Sequence, residues 1–169
     1  MQQAAAQPRE MISYAGARGR FNLRVGAVML DRDRVLLQRA ESDDFWCVPG
    51  GRVELLESAA MALARELREE IGVAAEVGRL LWVAENFFTY LGCDCHELGF
   101  YFLVSCPEHP ELFAQEGSFF GHEPDLGIRL IYRWFPLDEL PAIRVLPDFL
   151  PAGLRDLPAA TAHLVHHDI

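Results

Sequence analysis

Residues 51–73 read GRVELLESAAMALARELREEIGV, and the centre of this stretch organises everything around it. Wound at about 100° per residue, Ala60, Leu63, Ala64, Leu67 and Ile71 form one apolar stripe, the face expected to pack on a sheet. Glu66, Glu69 and Glu70 share a separate arc beside that stripe, on neighbouring turns. Ser58 is placed to cap the start of this helix, and Gly72 follows its last periodic residue as a C-cap, so the spacing predicts a helix over residues 58–71. Just upstream, Gly50-Gly51 lets the backbone turn tightly and approach another group closely.

Outward from the helix, the remaining chain reads mainly as strands. Residues 21–30 (FNLRVGAVML) and 35–39 (VLLQR) flank a turn at Asp31-Arg32-Asp33 and read as a hairpin. FWCVPGG, residues 45–51, starts as a short strand and stops at Pro49-Gly50-Gly51. LLWVAENFF (80–88), LGFYFLV (98–104) and LIYRWF (130–135) read as three further strands. Residues 105–129 hold three Pro and three Gly and are expected to form a long exposed loop. Beyond Leu137, two short helices broken by Pro141, Pro147 and Pro151 are expected. Strands on both sides of one long helix predict an α/β fold, a mixed β-sheet flanked by helices. Residues 1–20 read as a flexible lead-in, 21–160 as one domain and 161–169 as a tail in which His163, His166 and His167 are solvated.

With 169 residues the chain has room for one domain, and 51% apolar residues give it a core that needs no disulfide. Its net charge is −10, and all 15 basic residues are Arg. That balance argues against a nucleic-acid or anionic-membrane partner, since both require a basic face. No run reaches the roughly 18 apolar residues of a membrane span. Cys47, Cys93, Cys95 and Cys106 make no disulfide framework, so a reducing cytoplasm is expected. Cys93-Asp94-Cys95-His96 lacks a second spaced ligand pair for zinc and reads as a reduced loop. If the ligand of so acidic a chain is itself an anion, a bound cation must reverse the local field. Three clustered carboxylates supply the oxygen ligands that Mg²⁺ or Mn²⁺ takes.

ALARELREE alone suits any solvated amphipathic helix. The surrounding spacing is far more specific. Gly51 is followed by five residues and Glu57, then by seven and Arg65-Glu66-Leu67, then by one and Glu69-Glu70, then by one and Gly72-Val73. A chance match to all these positions is on the order of 10⁻⁹ per start point. This segment resembles, at every defined position, the signature box of the Nudix hydrolase (MutT-like) family. WCVPGGRVE running into the box and YRWFPLDEL (132–140) are similar to the family as well, so the resemblance spans residues 21–140.

The resemblance implies an α/β/α sandwich and metal-dependent hydrolysis of a nucleoside diphosphate linked to another moiety: a nucleotide, a nucleotide sugar or a dinucleoside polyphosphate. Carried over by position, Glu66, Glu69 and Glu70 would hold Mg²⁺ or Mn²⁺, with the Gly51 carbonyl as a further ligand. Arg65 and Glu57 would orient those carboxylates. Glu66 and Glu69 are candidate general bases, as are Glu116 and Glu123 in the loop, whose other reading is plain loop acids. Phe87, Phe88 and Tyr90 read first as core or strand end, with Tyr90 a candidate for base stacking and Arg24 and Arg39 for phosphate contacts. The rival reading is a ligand-sensing domain that binds a nucleotide without turnover. Homodimerisation is an expectation that comes from similar proteins alone.

Overall fold

The computed structural model describes residues 9–124 and 127–168. In chain order it contains β1 (Ser13–Gly16), β2 (Gly19–Val28), β3 (Leu30–Asp31), β4 (Arg34–Ala40), β5 (Gly50–Arg52), α1 (Ala59–Ile71), β6 (Glu76–Tyr90) and β7 (Cys93–Ser105). These are followed by α2 (Pro110–Phe113), β8 (Ser118–Glu123), β9 (Ile128–Pro136), a 3-10 turn at Leu140–Ala142, α3 (Leu150–Gly153) and β10 (Ala162–Asp168). One sheet runs β1-β2-β7-β6-β10 with β5 added on β2, and the other runs β3-β4-β9-β8. Pairing is mixed: β2 with β7 and β6 with β10 are parallel, whereas β6 with β7 and β4 with β9 are antiparallel.

Alternating side chains send these strands into two cores. Val25, Ala27, Leu36, Tyr132 and Trp134 pack with Ala62, Leu63 and Leu67 of α1. Val35, Leu37, Trp82, Tyr101 and Phe135 pack on the other side against Leu140, Leu150 and Leu154. The result is an α/β/α sandwich with a helix on one face and the C-terminal turns on the other. No helix among the described residues is long and apolar enough to cross a membrane.

The ends of α1 follow local chemistry: Ser58 Oγ accepts from the Met61 amide at 3.3 Å, and Gly72 closes the helix at φ 73°. Its buried face is rotated from the expected stripe and comprises Ala62, Leu63, Glu66, Leu67 and Glu70. Two glycines permit the rotation. A Cβ on Gly51 would lie 2.2 Å from Glu66 Cδ, and one on Gly121 of β8 would lie 2.6 Å from the Glu70 carbonyl oxygen. Strands without side chains at these points let the helix settle deep enough to bury two of its acids.

Several local expectations are corrected. The Arg32-Asp33 turn joins β3 to β4, while β2 belongs to the other sheet, because the chain changes sheets at Met29. Within residues 45–51, Trp46 and Cys47 form only isolated bridges, and the glycine pair begins β5 instead of ending a strand. The 105–129 region holds α2 and β8, the latter antiparallel to β9. Of the expected lead-in, residues 1–8 lie outside the described residues, and β1 pairs with β2. Residues 162–168 of the expected tail form β10, held by parallel pairing along β6 from Trp82 to Phe88, and residue 169 lies outside the described residues.

Candidate active site

Helix α1 and strand β8 bring three carboxylates together. Ligand oxygens of Glu66, Glu70 and Glu123 all lie within 4.8 Å of one another. Glu66 and Glu70 are 3% and 5% exposed, which in an apolar protein interior would be prohibitive for unshared anions. Their protonation reports that strain. Burial pushes the Glu66 carboxyl up, against the pull of Arg65, with Glu123 and Glu69 adding repulsion. Burial also pushes Glu70 up to about 8, although the Tyr132 hydroxyl donates to its Oε2 at 2.5 Å and favours the anion; Glu66 and Glu123 raise it further.

Arg65 anchors the other side of the cluster. Its Nε and Nη2 grip Glu57 in a fork, both at 2.9 Å, and Nη2 also donates to the Arg52 carbonyl at 3.1 Å. Nη1 donates to Glu66 Oε1 at 3.0 Å and to Glu69 Oε2 at 3.2 Å. Glu57 is itself held below the usual carboxylate range: burial pushes it up, but the Arg65 hydrogen bonds, the Glu54 amide and the charges of Arg65 and Arg9 together outweigh that. Glu69 is exposed and lies outside the converged trio, sharing Arg65 Nη1 with Glu66; Arg9 Nη2 donates to it at 3.0 Å while Arg9 Nε donates to Glu54 at 2.5 Å. So the structure groups Glu66 and Glu70 with Glu123, and groups Glu69 with the arginines.

Glu70 and Glu123 of the trio open on a cleft of about 640 Å³ between the two sheets, lined among others by Arg24, Arg39, Gly51, Tyr90 and Glu97. Arg24 points to Glu97 at 3.6 Å; burial disfavours its charge, but Glu97 together with Cys47, Tyr101 and Glu66 outweighs it and holds the guanidinium charged. Arg39 donates to the Asp43 carbonyl at 2.6 Å and lies over the Trp46 ring. Tyr90 sits at the rim, its hydroxyl donating to Asp43 at 3.0 Å and its ring edge-on to Phe45. Cys47 also lines the cleft, its thiol pushed up to about 11 by burial. Glu116 is exposed in the turn before β8 and does not line the cleft. Cys93 and Cys95 are free thiols, and the His96 ring stacks on Phe87. His163 pairs with Glu85 at 2.8 Å from within β10.

Gln38, Asn86 and Glu97 were not singled out from the sequence. Asn86, 2% exposed, is the one with a visible signal, an amide inside the apolar run LLWVAENFF. Such a residue in a buried strand needs a polar partner.

These carboxylates suit a hard cation. The donor set is all oxygen, and the Gly51 α-carbon cradles the Glu66 carboxylate where any side chain would displace it. A pH prediction follows for metal-free protein. The native state holds the Glu70 proton more tightly than the unfolded chain, where glutamate titrates near 4.3. The group's stabilising contribution is therefore complete below that value and lost as pH rises through about 8. In EDTA-treated protein Tm should fall between about pH 5 and about pH 8.5, and Glu70→Gln should flatten this slope. Identical slopes for the two proteins would contradict the assignment.

Comparison with known proteins gives a family, two curated relatives and a structural neighbour. The NUDIX domain model matches residues 20–156. Diphosphoinositol polyphosphate phosphohydrolase 2 of Rattus norvegicus is 49% identical over 55 residues, covering 32% of this chain and 31% of that protein. The CTP pyrophosphohydrolase of Escherichia coli (strain K12) is 46% identical over 61 residues, covering 33% and 45%. The chain thus spans a third to somewhat under half of the length of these curated relatives. Among solved structures, the MutT protein from Bacillus halodurans superposes with a TM-score of 0.59 at 18% identity, covering 86% of this chain and 89% of that one, a likeness of fold.

Proposed function

Since this chain belongs to the NUDIX domain family, we propose that it is a divalent-cation-dependent pyrophosphohydrolase acting on a nucleoside diphosphate linked to another moiety. The observation that carries the reading is the convergence of Glu66, Glu70 and Glu123 at the edge of a cleft large enough for a nucleotide. In this reading those three carboxylates hold Mg²⁺ or Mn²⁺, with Glu69 and the Gly51 carbonyl as additional ligands. A cation bound there neutralises pyrophosphate oxygens, stabilises the leaving phosphate and lowers the pKa of an attacking water.

The chain's own groups complete the chemistry. Arg65, fixed by its fork on Glu57, keeps Glu66 in position. We assign the water's proton to Glu123, which is delivered from β8 and is more open to solvent than the two buried helix acids. Arg24 and Arg39 are assigned to the substrate's phosphates, and Tyr90 to stacking at the rim. Cytoplasmic residence and homodimerisation belong to the same proposal.

The test is a hydrolysis screen over dNTPs, ADP-ribose, nucleotide sugars and dinucleoside polyphosphates, read by product identity. Activity should require Mg²⁺ or Mn²⁺ and vanish with EDTA. Silence over the whole panel, with nucleotide binding retained, would favour a sensing domain instead.

A further inference from the structure

Residues 10–12, ahead of β1, run antiparallel to residues 53–55, which directly follow β5. The Ile12 amide donates to the Val53 carbonyl at 2.8 Å, the Leu55 amide donates to the Glu10 carbonyl at 2.7 Å, and Met11 bridges Glu54. On its other side the Ile12 carbonyl accepts from the Leu23 amide of β2 at 3.0 Å. Backbone bonds on both sides fix this segment, and they deliver the next side chain, Arg9, to the acids at the start of the signature box and on α1. Its Nε donates to Glu54 Oε1 at 2.5 Å and its Nη2 to Glu69 Oε2 at 3.0 Å.

The same Glu69 oxygen accepts from Arg65 Nη1 at 3.2 Å, so two guanidiniums meet on one carboxylate. They differ in freedom. Arg65 is clamped by its fork on Glu57 and by the Arg52 carbonyl, whereas the Arg9 side chain is 33% exposed. A divalent ion that approaches Glu69 by itself meets the Arg9 charge across a single oxygen, and like charges at that range repel. An ion that arrives with a pyrophosphate meets a different balance. Phosphate oxygens take over the hydrogen bonds that Arg9 gives up, and the forked guanidinium suits them. After that exchange each charge has an opposite partner: the cation on Glu69, the anion on Arg9.

We infer that Arg9 is a phosphate-binding residue of this centre, exchanging Glu69 for a phosphate oxygen of the substrate, so that Glu69 takes a cation well in company with pyrophosphate and weakly without it. Resting on the cation reading above, this adds to the site a residue that lies far outside the 51–73 box. It also separates two cation positions. Glu66, Glu70 and Glu123 converge apart from Arg9, and the Tyr132 hydroxyl is the hydrogen-bond donor to Glu70. Glu69 is the position whose affinity Arg9 sets.

The experiment compares the full chain with Arg9→Gln and Arg9→Lys in two binding titrations that need no turnover. Electron paramagnetic resonance follows Mn²⁺ alone; calorimetry then follows methylenediphosphonate, a pyrophosphate mimic that resists hydrolysis, at saturating Mn²⁺. In Arg9→Gln the weaker Mn²⁺ site should tighten about 10-fold, because the opposing charge is gone. Methylenediphosphonate should move the other way and bind about 10-fold more weakly. Arg9→Lys, which keeps the charge without the fork, should return Mn²⁺ binding to the wild-type value and recover part of the anion affinity. A support that merely holds Glu69 in place would weaken both ligands together when removed. An unchanged affinity in either titration, or a change of the same sign in both, would overturn the inference and leave a cation on the trio intact. If wild-type protein binds no Mn²⁺ at all, the cation reading fails and the inference falls with it.

Discussion

Glu70→Gln should lower kcat roughly 10³-fold at saturating Mg²⁺, while the metal-free variant melts no lower than wild type at neutral pH. The substitution keeps the shape of the side chain and an oxygen to accept from Tyr132, whose hydroxyl now meets Oε2 at 2.5 Å. It removes one of the three converged negative charges, and with it the attraction for a cation. In the absence of metal that charge is a burden, since burial and the neighbouring Glu66 and Glu123 all raise the Glu70 carboxyl. Activity and stability should therefore separate. Titration of Mg²⁺ against initial rate and a thermal melt in EDTA read the two effects independently. Wild-type turnover in the variant would remove Glu70 from the catalytic account.

Arg65→Ala should affect both properties together. One guanidinium satisfies Glu57, Glu66, Glu69 and the Arg52 carbonyl, and its side chain is only 17% exposed. Removing it strands the Glu66 and Glu57 carboxylates, whose side chains are 4% and 13% exposed. Breaking such a network costs about 3 kcal/mol, with partial solvent access keeping the value at the lower end for buried pairs. For a domain of this size that is a fall in Tm of about 10 °C. Saturating metal should recover part of this loss by neutralising Glu66, but kcat/KM should stay about 10- to 100-fold down, because the carboxylate is no longer held in position. Differential scanning calorimetry with and without Mg²⁺ measures the first effect and steady-state kinetics the second. A Tm within 2 °C of wild type, taken as about 1 kcal/mol or less, would show that Arg65 is a surface charge.

What the sequence made legible is what local chemistry decides. Ser58 and Gly72 bound α1 because capping depends on residues a few positions away. The long strands β6, β7 and β9 were visible because apolar runs of that length are hard to bury otherwise. The strands β1, β8 and β10 were missed for the opposite reason. Each is short and has no buried residue, and each owes its form to a partner elsewhere; His163, for example, is held by pairing with Val83, far back in the chain. The same holds for the site. Glu66, Glu69 and Glu70 are neighbours in any helix, but which two turn inward depends on how closely β5 and β8 let the helix approach, and that is set by Gly51 and Gly121. The sequence places Glu123 in a loop, as a candidate base or a plain loop acid. That it joins the helix pair follows from β8 pairing with β9.

The central claim is that these inward-facing acids exist to hold a divalent ion beside the cleft, and anomalous diffraction from crystals soaked in Mn²⁺ tests it most directly. The account predicts a manganese peak about 2 Å from carboxylate oxygens of Glu66, Glu70 and Glu123. Crystals of active protein that bind manganese elsewhere, or show no manganese among these three side chains at millimolar concentration, would contradict it.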